Sequence, residues 1–402
     1  MTTRLHYAWI VAISGALTTF CCLGLARFAF GMLLPSMSEA LSLDYSQRGM
    51  LGSSYLIGYV AMVAAVPFVA PRLGQRTLIT GSLSLISLSL FGVSLSDDFL
   101  TLCLIYGLTG IGSGGAFVPV MSLASAWFHP SHRGLAAGIH LAGAGLGIII
   151  SGFVVPRLEP MFGLAQWQLG WLIFAIFSAF TAAWAFTFIR NAPADVGTSL
   201  YGRPPAPKSQ AHANKVPQSK AILIAHLGSI YAVYGATYMI YASFIVTSMV
   251  DAYGMTQAQA GQAWAWVGIV SMFSGTLFGW LSDKIGRKGG FIAALSVLAT
   301  AYILASNSDW TFALYPSLIL YGLAAWSIPT IIAAASGDYF GPKHAASGLA
   351  AVTLTFAIGQ TLGPVGAGYL AEATGAFGTS YAAASAAAIL AILLCLLLKP
   401  PR

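Results

Sequence analysis

Arg27 stands within CCLGLARFAFGMLLPSM (21–37), a run otherwise apolar enough to lie in hydrocarbon. A guanidinium is permanently charged and presents a planar fork of donors suited to a carboxylate, so at that depth it reads as a group that binds an anion. Two structural readings stand beside this one: snorkelling to the outer interface, or bonding to helix carbonyls. Arg27 lies about nine residues, roughly 13 Å at 1.5 Å per residue, from the outer end of its span. On a regular helical wheel its face carries Ala16, Phe20, Gly24 and Gly31, small residues typical of a packing or cavity face.

A second constellation lies in ILIAHLGSIYAVYGATYMIYASFIV (222–246), where Tyr231, Tyr234, Tyr238 and Tyr241 recur at helical spacing. At 100° per residue they share an arc of about 80°. Each buried phenol needs a hydrogen-bond partner, so the stripe reads as a cavity wall facing a polar substrate or as packing with hydroxyls bonded to neighbouring helices. His140 titrates in the physiological range when unperturbed and is the candidate for proton coupling, beside the reading of a neutral histidine bonded within the bundle. Gln360, Tyr59 and Tyr55 are weaker candidates for the substrate site, and Trp264, Trp266 and Trp326 for its apolar walls. The sequence presents no metal-ligand cluster, nucleophile paired with a base or phosphate-binding loop, so neither an enzyme nor a cofactor is expected.

The elements that must hold these groups are membrane helices. The chain has 402 residues, 57% of them hydrophobic and 7% charged, a balance foreign to soluble globular proteins. Apolar stretches near the 20 residues needed to cross a bilayer recur at about 7–36, 46–69, 77–96, 99–128, 133–156 and 166–189. A second set follows at about 221–250, 257–281, 289–306, 310–340, 344–371 and 377–398. The expected class is therefore all-α with twelve transmembrane helices. The first span is longer than a signal-peptide core and lacks a small-residue cleavage pattern, so it reads as retained.

The net charge of +7 follows topology and does not point to nucleic acid. Lys and Arg gather at the termini and in alternate loops, while the opposite loops hold Glu39, Asp44, Asp97, Asp98, Glu159, Asp251, Asp309 and Glu372. The positive-inside rule then places both termini in the cytoplasm. Cys21, Cys22, Cys103 and Cys395 all fall in apolar spans, which argues for small buried side chains and against a disulfide framework.

Residues 191–220, rich in Pro, polar and basic residues, read as a flexible cytoplasmic linker between two six-span halves, 1–190 and 221–402. The halves are related: SMSEALSLDYSQRG (36–49) aligns without gaps on SMVDAYGMTQAQAG (248–261) at an offset of 212 residues. Both segments start the next helix with a capping pattern, Asp44 with Gln47 and Thr256 with Gln259. The pairs Gly143/Gly147 and Gly359/Gly363 recur at nearly the same offset. Such duplication predicts two similar bundles related by a pseudo-twofold axis, with a cavity between them.

GWLSDKIGRKGG (279–290), placed after span eight, resembles the cytoplasmic-loop signature G-x-x-x-D-x-x-G-R-K of the major facilitator superfamily. The resemblance covers the whole chain and implies secondary transport by alternating access. It implies a conformational latch built from Gly279, Asp283, Gly286, Arg287 and Lys288, whose acid meets the partner half near His132 and Arg133. The pseudo-repeat PFVAPRLGQR (67–76) keeps Gly74 and Arg76 but has Pro71 where the acid stands, so one of the family's two acid latches is missing. WFHPSHRGLAAGIHLAGAGLG (127–147) resembles monocarboxylate and oxalate-type carriers, and RFAFGMLLPSM resembles a set of bacterial facilitators.

Together these readings describe a monomeric, multi-pass transporter of the bacterial inner membrane. It would move a small organic anion, expected to be a carboxylate, held by Arg27 and oriented by the tyrosine face. A proton or counter-anion is the candidate co-substrate. The rival is an exporter of hydrophobic or cationic drugs, favoured by the aromatic content and disfavoured by the buried arginine and the absence of acids at mid-membrane.

Overall fold

The computed structural model describes residues 6–202, 220–309, 311–340 and 345–399. Apolar side chains drive these segments into lipid, where each backbone N–H and C=O must be satisfied within its own segment, and helices are the result. In chain order they are α1 (Tyr7–Leu41), α2 (Tyr45–Leu73), α3 (Gln75–Leu95), α4 (Phe99–Trp127), α5 (Pro130–Val154) and α6 (Gln166–Phe188). Then follow α7 (Lys220–Asp251), α8 (257–285), α9 (287–305), α10 (Thr311–Phe340), α11 (Ala345–Thr374) and α12 (Gly378–Leu397). The run Gln257–Ala305 is continuous in hydrogen bonding but turns at Gly286, whose φ of 82° makes α8 and α9 two helices. Among the described residues eleven helices are long and apolar enough to cross a membrane, and dividing that run raises the number to the expected twelve.

The chain divides into two compact units, Met1–Ser42 with Ser54–Gln210 and Leu43–Ser53 with Ala211–Arg402. The short piece 43–53 belongs to the second unit, where Arg48 pairs with Asp251 at 2.9 Å and the Tyr45 N–H donates to Glu372 at 2.8 Å. Both predicted helix caps form. Asp44 accepts from the Gln47 N–H at 2.7 Å while Gln47 accepts from the Asp44 N–H at 3.0 Å. Thr256 and Gln259 exchange the same pair at 3.3 and 2.9 Å.

Small residues set the tightest helix contacts in both units. A Cβ added to Gly24 of α1 would lie 2.7 Å from the Gly147 Cα of α5, and one added to Gly363 of α11 would lie 2.5 Å from the Ala236 oxygen of α7. Only glycine allows such approach of backbones, as in other membrane bundles.

Two features depart from the sequence reading. First, α1 is not a uniform α-helix: Phe20–Phe28 winds as a π-helix, with hydrogen bonds reaching five residues back, as from the Ala29 N–H to the Gly24 oxygen at 3.0 Å. Second, the start of the expected flexible linker packs on the first unit. The Tyr201 N–H donates to the Trp127 oxygen at 2.9 Å, and its ring meets Trp9 and His6, each at 5.2 Å. Residues 203–219 of that linker lie outside the described residues.

Candidate functional site

In the first unit Arg27 is 7% exposed, on the last π-helical turn of α1. Its guanidinium carbon lies 5.8 Å from the centre of the Tyr59 ring of α2, which itself stacks on Tyr55 at 6.4 Å. A charge facing a ring sees the negative face of the π-system, a favourable contact inside low dielectric. Tyr55 and Tyr106 send their hydroxyls to α1 itself: Tyr55 donates to the Cys22 oxygen at 2.9 Å and Tyr106 to the Ala26 oxygen at 2.8 Å. The π winding also corrects the helical wheel. With more residues per turn the 100° phase no longer holds between Ala16 and Arg27, so the face shared by Arg27, Ala16 and Gly24 on a regular wheel is broken up. Ala16 and Gly24 are the contacts of Gly143 and Gly147 on α5, whereas Arg27 meets Tyr59 on α2. A single polar residue in an apolar run does not announce a π segment, so the sequence held no usable signal for it.

In the second unit the tyrosine stripe of α7 forms, and all four rings are buried. They continue as a stack, Tyr231 on Tyr234 at 6.0 Å, Tyr234 on Tyr238 at 5.4 Å and Tyr238 on Tyr321 of α10 at 5.9 Å. The hydroxyls of Tyr234 and Tyr241 are engaged by the unit's own core. Tyr234 donates to the Ala325 oxygen and Tyr241 shares a 2.7 Å bond with Ser317, which in turn donates to the Ala301 oxygen. Tyr241 therefore sits in packing and is not at a cavity wall, because its ring is fully buried and its hydroxyl lies in that chain of bonds. Phe356 of α11 stacks on Tyr231 at 4.6 Å, and Gln360, one turn further along α11, is fully buried. Trp326 packs on Tyr238 at 5.9 Å. Trp266 is 63% exposed and lines an outer groove of about 700 Å³ with Gln259 and Tyr315, so it does not shape an interior pocket.

His140 is fully buried, packed so closely on α1 that a Cβ on Gly15 would lie 2.3 Å from its ring. Its backbone oxygen accepts from Thr19 at 2.5 Å, and neither ring nitrogen has a hydrogen-bond partner among the described residues. In this packing a proton on the ring would have no acceptor.

The loop motif closes on its own unit. Arg287 donates to Asp283 at 2.5 Å, to Ser282 at 2.8 Å and to Asp338 of α10 at 2.6 Å, and Lys288 donates to the Leu396 oxygen at the end of α12 at 2.6 Å. Asp338 was not singled out in the sequence; an acid near the end of a span opposite a basic loop is the signal that marks it. The loop bounds a cavity of about 650 Å³ lined by Asp283, Gly286, Arg287, Lys288 and Asp338. A Cβ on Gly279 would meet the Thr330 methyl at 3.2 Å. The side chain of Arg133 lies outside the described residues.

Comparison with known proteins agrees with this architecture. A family model described as "Uncharacterised MFS-type transporter YbfB" matches residues 19–396. The chain is 26% identical over 351 residues to a probable nitrate/nitrite transporter, NarK2, of Mycobacterium tuberculosis, covering 83% of this chain and 85% of that protein. It is 25% identical over 382 residues to a probable sulfoacetate transporter, SauU, of Cupriavidus necator, covering 87% and 84%, and 23% identical over 311 residues to a hexuronate transporter of Bacillus subtilis, covering 75% and 68%. Among solved structures, the nucleoside transporter NupG superposes with a TM-score of 0.74 over 98% of this chain and 99% of that one at 17% identity, a likeness of fold.

Proposed function

The chain belongs to the major facilitator family described as uncharacterised MFS-type transporter YbfB, and on that premise we propose that it carries a small organic anion across the bacterial inner membrane by alternating access. The observation that carries this reading is Arg27, a buried guanidinium against an aromatic ring on an irregular stretch of a membrane helix. A guanidinium in a membrane helix is a group that function selects for, and a carboxylate matches its fork. The relatives named for nitrate, sulfoacetate and hexuronate support an anionic cargo.

In this reading the halves 1–190 and 221–402 alternate, both termini face the cytoplasm, and the protein acts as a monomer. Tyr231, Tyr234 and Tyr238 with Gln360 are the second half's candidate substrate contacts. The motif around Asp283 and Arg287 holds one of the alternating states. His140 acts as proton carrier only in a state where α1 and α5 part; otherwise a counter-anion balances the charge.

The test is a thermal-shift panel on the purified full chain with nitrate, 4-hydroxybenzoate, galacturonate and sulfoacetate against lipophilic cations. A ligand that binds only the folded state must raise Tm. The reading expects stabilisation by at least one anion, lost in Arg27→Gln. Stabilisation by the cations alone would replace it with the exporter reading.

A further inference from the structure

The duplication supplies an internal control for what is special about α1. At the repeat offset of 212 residues Arg27 corresponds to Met239, Cys22 to Tyr234, Tyr55 to Val267 and Tyr59 to Ser271. Tyr106 stands in IYGL (105–108) as Tyr321 stands in LYGL (320–323). Its bond to the Ala26 oxygen is repeated in the second unit, where Tyr321 donates to the oxygen of Tyr238, the counterpart of Ala26, at 3.2 Å. That phenol-to-carbonyl bond is therefore common to a π-wound helix, α1, and to an α-helix without a π segment, α7. The bond from Tyr55 to the Cys22 oxygen has no such counterpart, because valine fills the equivalent position.

The Cys22 carbonyl is the one a π turn pairs with the N–H of Arg27, five residues on. A widened turn weakens the alignment of its own hydrogen bonds, and a second donor on that carbonyl compensates. Shifting the winding back by one residue would turn everything beyond it by about 100° and carry Arg27 away from the Tyr59 ring. Tyr55 is 1% exposed, stacked on Tyr59 at 6.4 Å and tilted against Tyr106 at 5.2 Å, so its hydroxyl is fixed in place.

We infer that Tyr55 is a positioning residue for Arg27: its hydroxyl, held on the Cys22 carbonyl, keeps the π-helical turn that aims the guanidinium into the anion site. The inference rests on the anion reading of Arg27. Tyr106 and Tyr321 hold the scaffold of their respective units and do not aim the charge.

The experiment compares Tyr55→Phe, Tyr106→Phe and Tyr321→Phe in the full chain reconstituted in liposomes, with uptake of nitrate and of 4-hydroxybenzoate and with amide hydrogen exchange over 20–29. Tyr55→Phe keeps the ring and its packing while removing the hydroxyl and with it the bond to the Cys22 oxygen. It should raise the KM for the carried anion about tenfold with kcat little changed, and speed exchange between Cys22 and Phe28. Tyr321→Phe should leave KM unchanged, and Tyr106→Phe should follow it. An unchanged KM in Tyr55→Phe, or a rise matched by Tyr321→Phe, overturns the inference; so does unaltered exchange over 20–29. If the wild-type protein takes up neither anion, uptake is read with the anion that stabilises it in the thermal-shift panel; stabilisation by none of the four removes the anion reading of Arg27, and the inference with it. The exchange arm still shows separately whether Tyr55 holds the π turn.

Discussion

The two units repeat each other's scaffold closely and part at a few groups of side chains. Gly24 on Gly147 in the first unit is answered by Ala236 on Gly363 in the second, and Tyr106 on the Ala26 oxygen by Tyr321 on the Tyr238 oxygen; the sequence repeat also pairs the Asp44–Gln47 cap with the Thr256–Gln259 cap. The turns Gly74 and Gly286 share nearly one backbone conformation, φ 77° and 82° with ψ 158° in both. Just beyond each turn a basic side chain clamps the last helix of its unit: Arg76 donates twice to the Phe186 oxygen, at 2.9 and 2.6 Å, and Lys288 once to the Leu396 oxygen. Cations suit the negative end of a helix dipole, so this clamp is structural in both. What is not repeated is the π-wound α1 with its arginine, the acid pair around Arg287, and the tyrosine stripe of α7. Duplication thus separates what the fold needs from what one half does alone.

The largest expected effect breaks the first of these asymmetries. Arg27→Ala should lower anion uptake by about a hundredfold, because two charge-assisted hydrogen bonds to a carboxylate contribute about 3 kcal/mol. Met239→Ala, at the equivalent place in α7, should cost stability through a cavity, about 2–3 kcal/mol, and leave the anion KM where it was. Uptake in liposomes together with thermal unfolding of both variants checks the pair. If Met239→Ala damaged anion affinity as much as Arg27→Ala, the asymmetry would carry no chemistry.

The second asymmetry lies in the loops. Arg287 pairs with Asp283 and Asp338, whereas the Gly74 loop has Gln75 at the corresponding position and Pro71 in place of the acid. Arg287→Ala leaves two carboxylates facing each other and removes exposed pairs worth about 1 kcal/mol together, so the balance between alternating states shifts and uptake falls about fivefold. Arg76→Ala loses the Phe186 clamp and the contact over the Phe186 ring at 4.6 Å. It should lower Tm by a few degrees, with uptake per folded molecule unchanged. Equal losses of uptake in the two variants would show that the loops do the same work.

Much of this was legible in the sequence for reasons tied to period and lipid. Twenty apolar residues must become a helix in a bilayer, Gly286 marked a turn, and the Asp44 and Thr256 capping patterns depend only on residues three apart. The π segment was not legible, since the contacts around it are tertiary: Gly24 lies against Gly147, and Tyr55 and Tyr106 reach α1 from α2 and α4. That one feature invalidated the wheel used for Arg27. Tyr241 was misplaced for a related reason. An 80° arc on one helix says which residues share a face, but Ser317, far along the chain, decided that this hydroxyl is part of the packing. The seating of Tyr201 on Trp9 and His6 likewise joins residues that no local pattern connects.

The smallest expected effect concerns the caps, where the repeat keeps geometry and changes charge. Asp44 and Thr256 hold equivalent helix starts, yet only Asp44 titrates. The Gln47 N–H, then the Ser46 hydroxyl, hold its carboxyl below the usual carboxylate range, with Arg48 adding to the effect. A folded-state value below the unfolded one means that ionised Asp44 favours the folded chain at neutral pH, and that this contribution is lost as pH falls through the folded value. Asp44→Ala should therefore lower stability by about 1 kcal/mol at pH 7. The deficit should shrink as pH falls below about 4, the unfolded value for aspartate. Thr256→Ala should cost a similar amount with no such dependence on pH. Unfolding of the two variants across pH 3–7 measures both, and a deficit in Asp44→Ala that stays constant over that range would show that the hydrogen bonds of this cap do not depend on its charge.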